Sequence, residues 1–142
     1  MVEQSVEHHT WRVVAALFGA SAVAMGAFGS HALRNCVSPN LLTTWRTAVD
    51  YQMFHSIALL ALAINARDGA RWRWSMRLWT SGILLFSGSL YALVLSGIRS
   101  FGIVTPIGGV CFIAGWLCLI CFHRRRDSAS SRESVGEPNG RR

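Results

Sequence analysis

Three side chains with hydrogen-bonding chemistry stand close together in one apolar stretch of the sequence, at Tyr51, Gln52 and His55. On a helix they share a side with Ala48 and Leu59, because residues three and four positions apart are neighbours. A phenol, an amide and an imidazole can hold a polar ligand, and an imidazole can also exchange protons near neutral pH. Inside a hydrophobic segment such groups need partners, which the rest of the chain has to supply.

Further polar side chains occur in the other apolar stretches, and with an advance of about 1.5 Å per helical residue they reach a similar depth in a membrane. We therefore predict one polar cluster in the outer half of the bilayer, formed by His31, Tyr51, Gln52, His55, Ser87, Tyr91 and Thr105. In particular, we expect His31 and His55 to lie within reach of each other. Two interpretations are open: the cluster joins the helices by mutual hydrogen bonds, or it forms a pocket for a ligand.

The composition places these residues in a membrane rather than in a soluble domain. Of the 142 residues, 51% are hydrophobic and only 15% are charged, whereas a soluble domain has about 25% charged residues. All 14 basic residues are arginine, and the formal net charge is +7. Most of these arginines flank apolar runs, where they act as membrane anchors, so the charge indicates lipid contact and no nucleic-acid partner.

Four apolar runs divide the chain, and they predict membrane-crossing helices over 13–33, 48–66, 78–98 and 102–122, the second with an amphipathic lead-in that starts near Leu41. The first and third runs have 21 residues each, and a helix of that length spans about 30 Å, the thickness of a hydrocarbon core. The predicted fold is all-α, an integral membrane four-helix bundle. A polar N-terminal segment precedes it at 1–12, and an arginine-rich tail at 123–142 is predicted to be disordered.

The distribution of arginines predicts the orientation of the bundle. With four spans, the N-terminal segment, the middle loop and the tail lie on one side and contain one, four and six arginines. The two remaining loops contain three. Because cytoplasmic segments carry the excess of basic residues, we expect both termini in the cytoplasm.

Small residues at four-residue spacing predict where helices approach each other closely. One row lies in the first run, at Ala22, Gly26 and Ser30, and another in the third, at Gly88, Ala92 and Ser96. In the fourth run two adjacent glycines follow Thr105-Pro106. We therefore predict helix packing at Gly26, Gly88, Gly108 and Gly109.

No motif for catalysis or for a metal or organic cofactor is found in the sequence. Cys118 and Cys121 have CxxC spacing, but Phe122 separates them from the histidine that a c-type haem site requires directly after the second cysteine. We therefore expect a protein that is not an enzyme and that has no metal and no cofactor.

Five short motifs follow one another in order along the apolar runs: Gly26-Ala-Phe-Gly-Ser-His31, Tyr51-Gln-Met-Phe-His55, Leu85-Phe-Ser-Gly-Ser-Leu-Tyr91, Thr105-Pro-Ile-Gly-Gly109 and Gly115-Trp116. Together they resemble the YgdD-like family of small bacterial inner-membrane proteins, domain-of-unknown-function family 423, which is similar to a eukaryotic transmembrane protein. The resemblance covers residues 13–122 and departs from the usual pattern at Ser30, where Ala is common. It implies a four-helix protein of the bacterial inner membrane, and it implies no activity.

Three functions follow from these observations. The first is a non-enzymatic structural or partner-binding protein, whose partners are the lipid bilayer and a membrane protein or a second copy of the chain. The alternative is a small-solute or proton-handling protein that uses the His/Tyr/Gln cluster. A third is a haem or metal carrier, since two histidines such as His31 and His55 can ligate haem axially.

Overall fold

The computed structural model describes the backbone of residues 2–65 and 70–133, and the side chains of residues 7–65 and 72–120. Within these residues the chain is helical and contains no β-strand, as the sequence predicts. The α-helices are α1 (Val2–Phe28), α2 (Pro39–Asn65), α3 (Ala70–Gly82), α4 (Gly88–Ser96) and α5 (Thr105–Glu133). Two π-helical turns, Gly29–Leu33 and Ile83–Ser87, extend α1 and join α3 to α4, and a 3₁₀ turn at Arg99–Ile103 precedes α5.

In the described part of the chain, four helical segments are long and apolar enough to cross a membrane: Glu7–Leu33, Pro39–Asn65, Trp72–Ser96 and Arg99–Ile120. This confirms the predicted number of spans. The second begins at Pro39, close to the lead-in predicted from about Leu41 and before the crossing segment predicted at 48–66. At the C-terminal end α5 continues to Glu133, into the tail predicted to be disordered. No glycine or proline lies between Gly115 and Gly136, so no residue in that stretch breaks a helix. Residues 134–142 lie outside the described residues.

The two central elements of the bundle are α2 and the third span, which consists of α3, the π turn and α4. Antiparallel packing of α1 on α2 is fixed by two hydrogen bonds: Trp45 Nε1 donates to the Met25 carbonyl oxygen at 2.8 Å, and Gln52 Nε2 donates to that of Phe18 at 3.0 Å. On the other side α5 packs against α3. The flanking helices are therefore α1 and α5.

An indole ring packs on a glycine in each of these two outer helix pairs. A Cβ atom added at Gly29 would lie 2.6 Å from Trp45 Nε1, and one added at Gly115 would lie 2.5 Å from Trp79 Cδ1. Both tryptophans are about 1% exposed. Because interiors are close-packed and leave no room for an added carbon, these two contacts set the register of α1 on α2 and of α5 on α3.

Apolar packing is concentrated towards the two ends of the bundle. A large core cluster includes Leu59, Met76 and Phe112, and a small one contains Leu33, Trp45 and Val94. Buried polar side chains occupy much of the middle. Because lipid offers polar groups no hydrogen-bond partner, these side chains bond within the bundle, and their hydrogen bonds connect the helices in the middle layer.

Candidate functional site

Gln52 connects three spans through one side chain. Its Nε2 donates to the Phe18 carbonyl oxygen and to Ser21 Oγ at 2.8 Å, and its Oε1 accepts a hydrogen bond from the Tyr91 hydroxyl at 2.9 Å. The side chain is 5% exposed and lies thirteen residues from each end of α2. Both amide hydrogens and the amide oxygen are thus used inside the bundle, at the midpoint of the helix.

His55 is also buried, but it faces α5 rather than α1. Its Nδ1 lies 2.9 Å from the Tyr51 carbonyl oxygen, and its Nε2 accepts a hydrogen bond from Trp116 Nε1 at 3.3 Å. Since Nε2 accepts and the carbonyl can only accept, the bonds assign the neutral tautomer with the hydrogen on Nδ1. The ring stacks on Phe112 with centroids 3.6 Å apart.

A groove opens on the outside of the bundle between α2 and α5. These helices lie apart because α5 packs on α3 while α2 packs on α1 and the third span. The groove has a volume of about 530 Å³. His55 is at its buried base. Its walls carry the carboxylate of Asp50 and five aromatic rings, which belong to Tyr51, Phe54, Phe86, Phe112 and Trp116. A concave site of this volume with a few polar groups is typical of a small-molecule pocket.

The remaining residues of the predicted cluster bond to the backbone or to other hydroxyls. Ser87 Oγ donates to the Ala48 carbonyl oxygen at 2.8 Å and so joins the third span to α2. The hydroxyls of Thr105 and Ser89 lie 2.8 Å apart. Tyr51 is 45% exposed, and its ring stacks on Phe86 in the groove. The predicted single cluster is therefore divided into a network around Gln52, a groove that contains His55, and two separate contacts.

His31 does not join His55, and the prediction that they lie within reach is wrong. The two helices are antiparallel, with Met25 beside Trp45. His31 is six residues beyond Met25, and His55 is ten residues beyond Trp45 in the opposite direction, which separates them by about 24 Å along the helix axes. His31 is exposed. At that distance the two imidazoles cannot ligate one haem iron, which removes the arrangement on which the haem hypothesis depended.

The four glycines assigned to helix packing differ in their surroundings. A Cβ atom added at Gly108 would lie 2.8 Å from the Phe86 Cα, and one added at Gly26 would lie 3.5 Å from a Val49 methyl group. At Gly109 the nearest atom would be 4.0 Å away, and at Gly88 none lies within 4 Å. The close approaches predicted at Gly88 and Gly109 are therefore absent. Ser87 makes the contact with α2, and the next residue points about 100° away from it.

Sequence reasoning missed several residues of these sites, among them Ser21, Asp50 and Trp116. Ser21 is a hydroxyl within an apolar run, and Asp50 is an acid within a predicted span, so both could have been selected as polar groups at depth. Trp116 is part of the final motif, but an isolated tryptophan near a helix end is also typical of a membrane interface. Among the described residues, no group of three His, Cys, Asp or Glu side chains is placed to hold a metal ion.

Comparison with known proteins gives relatives across most of the chain. The profile of a family described as "Protein of unknown function (DUF423)" matches residues 25–109, which include Gln52, His55 and Tyr91. A UPF0382 membrane protein of Haemophilus influenzae is 48% identical over 105 residues, 73% of this chain and 85% of the relative. One from Staphylococcus aureus is 45% identical over 109 residues, 76% of this chain and 89% of the relative.

A third relative carries a location in its name. The UPF0382 inner membrane protein YgdD of Escherichia coli is 41% identical over 110 residues, 76% of this chain and 84% of the relative. No solved structure matches the chain. The family profile, these identities and the four apolar helices agree with the resemblance read from the motifs. The chain belongs to the UPF0382 (DUF423) family, whose named members are membrane proteins of unknown function.

Proposed function

We propose that this protein is a non-enzymatic membrane protein that binds a small solute in the α2–α5 groove and is held together by the network around Gln52. The observation that carries the proposal is the contrast between the two sites. The amide of Gln52 forms its hydrogen bonds with groups inside the bundle. The groove is open to the outside and is lined mainly by aromatic rings. The first arrangement stabilises helix packing, and the second is suited to binding.

Binding is favoured over catalysis by the partners of the one buried imidazole in the described residues. Nucleophilic catalysis by a serine, threonine or cysteine requires that its hydroxyl or thiol be hydrogen-bonded to a base. His55 instead bonds to a main-chain carbonyl oxygen and to the indole of Trp116, and neither is a nucleophile. Proton handling is disfavoured for a related reason, because a proton taken up at Nε2 would have to displace that indole.

A small solute suits the groove better than a protein helix does. A membrane-spanning helix about 10 Å wide and 30 Å long occupies on the order of 2,400 Å³. The groove offers about 530 Å³, which is close to the volume of small-molecule sites. A membrane-protein partner or a second copy of the chain remains a prediction for the outer faces of the helices.

The same proposal includes an orientation with both termini in the cytoplasm of a bacterial cell. It is supported by the excess of arginines in the N-terminal segment, the middle loop and the tail. A reporter active only in the periplasm should be silent when fused after Arg142 and active when inserted near Asn40. The opposite pattern would contradict the orientation and leave the groove unaffected.

Solute binding is tested with two glycine variants and native mass spectrometry of the protein released from native lipid. Gly109→Leu fills the groove, since nothing lies closer than 4.0 Å to an added Cβ there. Gly88→Leu is the matched control, because it adds the same side chain to open space and does not line the groove. We expect an added mass of small-molecule size on the wild type and on the control, and its loss in Gly109→Leu. An identical spectrum for all three proteins would refute solute binding.

A further inference from the structure

We infer that the solute bound in the α2–α5 groove is an organic cation with an apolar body, held by the aromatic rings and by the Asp50 carboxylate. This inference rests on the proposed function, because it names the chemical class of the ligand for the same groove. It is carried by three properties of the groove walls: their aromatic faces, their single carboxylate, and their opening on the lipid side of the bundle.

Five aromatic rings from three spans converge on this groove. Tyr51 stacks on Phe86 with centroids 4.5 Å apart, and Phe54 lies beside Trp116 at 5.9 Å. Phe112 closes the base through its stacking with His55. The face of an aromatic ring carries partial negative charge, so rings that surround one space attract a cation, most strongly where water is excluded. The same rings offer apolar contact to the rest of an organic molecule.

Asp50 supplies the full negative charge of the groove. It lies eleven residues from the start of α2 and fifteen from its end, within a helix long enough to span a membrane. An ionised carboxylate at such a depth is costly unless a positive charge neutralises it. Within the described part of the chain Arg73 forms an ion pair with Glu7 near the other end of the bundle, whereas Asp50 forms no ion pair. A bound cation would provide the missing counter-charge.

Two basic groups near Asp50 bear on this argument. Arg46 is one helical turn before it on α2 and is exposed, so it can compete with a ligand for the carboxylate. His55 contributes no positive charge, because its hydrogen bonds select the neutral tautomer. The net charge of the groove walls is therefore negative. This charge disfavours the binding of anions, and it favours a cation over a neutral acyl chain.

The groove also opens in the right direction for such a ligand. Phe54 and Ile113 are 59% and 62% exposed on its rim, on the outside of the bundle, where lipid surrounds a spanning helix. A cation with an apolar body concentrates at the membrane surface and can enter a lateral groove without crossing the packed interior. Its charge would reach Asp50 while its apolar part contacts the rim.

Binding is measured by isothermal titration calorimetry on the full chain in phosphatidylcholine nanodiscs, with empty nanodiscs subtracted. The probes are two cations of different size, tetraphenylphosphonium and benzyltrimethylammonium, and tetraphenylborate is the anion of nearly the same shape as the first. The variants are Asp50→Asn, Arg46→Gln, Gly109→Leu and the control Gly88→Leu. Asp50→Asn keeps the size of the side chain and removes only its charge.

We expect saturable binding of at least one cation and none of tetraphenylborate. Asp50→Asn should weaken cation binding by about tenfold or more: Asp50 is exposed on the groove wall, and a close charge pair is stronger where lipid rather than water surrounds it. Arg46→Gln should bind as tightly as the wild type or more tightly, Gly109→Leu should not bind, and Gly88→Leu should be unchanged.

Two results would overturn the cation inference: equal affinity of Asp50→Asn and the wild type, or binding of neither cation. In either case, native mass spectrometry can still show a molecule that is bound to the wild type and absent from Gly109→Leu. The groove then binds a solute of another class, and the proposed function stands. If that molecule is also absent, both proposals fail. A bound mass that corresponds to a neutral lipid would identify an acyl chain as the occupant and would likewise refute a cation.

Discussion

Replacement of Gln52 by leucine measures how much the hydrogen bonds of the central network contribute to the stability of the bundle. Leucine has nearly the same volume, so the variant removes hydrogen bonds without leaving a large cavity. Three bonds are lost, to the Phe18 carbonyl oxygen, to Ser21 Oγ and from the Tyr91 hydroxyl. The Tyr91 hydroxyl then has no acceptor in a half-buried position, whereas Ser21 keeps its own bond to Phe18.

The expected loss of stability follows from the number of bonds and from the orphaned hydroxyl. Hydrogen bonds between membrane helices contribute about 0.6 kcal/mol each on average and at most about 1.7 kcal/mol. A buried donor without an acceptor costs about 1 to 3 kcal/mol. The apolar contacts of leucine offset part of this, so we expect Gln52→Leu to lower the free energy of unfolding by about 2 to 4 kcal/mol.

A double-mutant cycle with Tyr91→Phe tests whether the loss comes from this network, with unfolding followed in detergent micelles. Tyr91→Phe alone should cost about 1 kcal/mol, because it removes one hydrogen bond. In the Gln52→Leu background the same change should instead recover about 1 to 3 kcal/mol, since it removes the orphaned hydroxyl. Ser96→Ala is the control, because that hydroxyl is exposed and bonds only to main-chain groups of α4 and of the turn that follows it, and to no other span. Additive effects, or a Gln52→Leu variant as stable as wild type, would show that Gln52 does not connect the helices.

Two further predictions concern backbone approach and indole hydrogen bonding, and both are measured by thermal unfolding in the same detergent. Gly108→Ala should destabilise the bundle by about 1 to 3 kcal/mol, since its methyl group would lie 2.8 Å from the Phe86 Cα, whereas Gly88→Ala should change nothing; equal effects would contradict this packing of α5. Trp45→Phe should cost about 1 kcal/mol more than Trp79→Phe, because the Trp45 indole donates to a main-chain oxygen and the equally buried Trp79 indole has no acceptor in the described residues. A larger loss at Trp79 would refute the role given to that bond.

The helices could be predicted from the sequence, because length and hydrophobicity decide whether a segment can cross a membrane. The second helix was predicted in two parts, an amphipathic lead-in from about Leu41 and a crossing segment over 48–66, and the structure joins both in one helix that begins at Pro39. A helix is continued by its backbone hydrogen bonds through charged side chains, so the pattern of charge does not give its first residue.

The polar cluster was predicted as one site because Tyr51, Gln52 and His55 lie on one side of a helical projection. In the structure α2 has neighbours in several directions, and Gln52 and His55 differ in direction by about 60°. Gln52 reaches α1 and α4, whereas His55 reaches α5. Similarly, the estimate of depth placed His31 near His55 without information on helix register. Side-chain contacts such as that of Trp45 with Met25 set the register, and no property of a single helix reveals it.

One motif, Tyr51-Gln-Met-Phe-His55, therefore contributes to two sites with different physical roles, and variants within it can separate them. Gln52 is buried in the network, so its replacement should lower stability, and any loss of ligand would follow from the weakened fold. Phe54 is 59% exposed in the groove, and its replacement by leucine should leave the free energy of unfolding within about 0.5 kcal/mol of the wild type. Reduced cation binding in Phe54→Leu at unchanged stability would therefore assign the binding role to the groove. Loss of both properties together in this variant would instead mean that the groove and the network are a single structural unit.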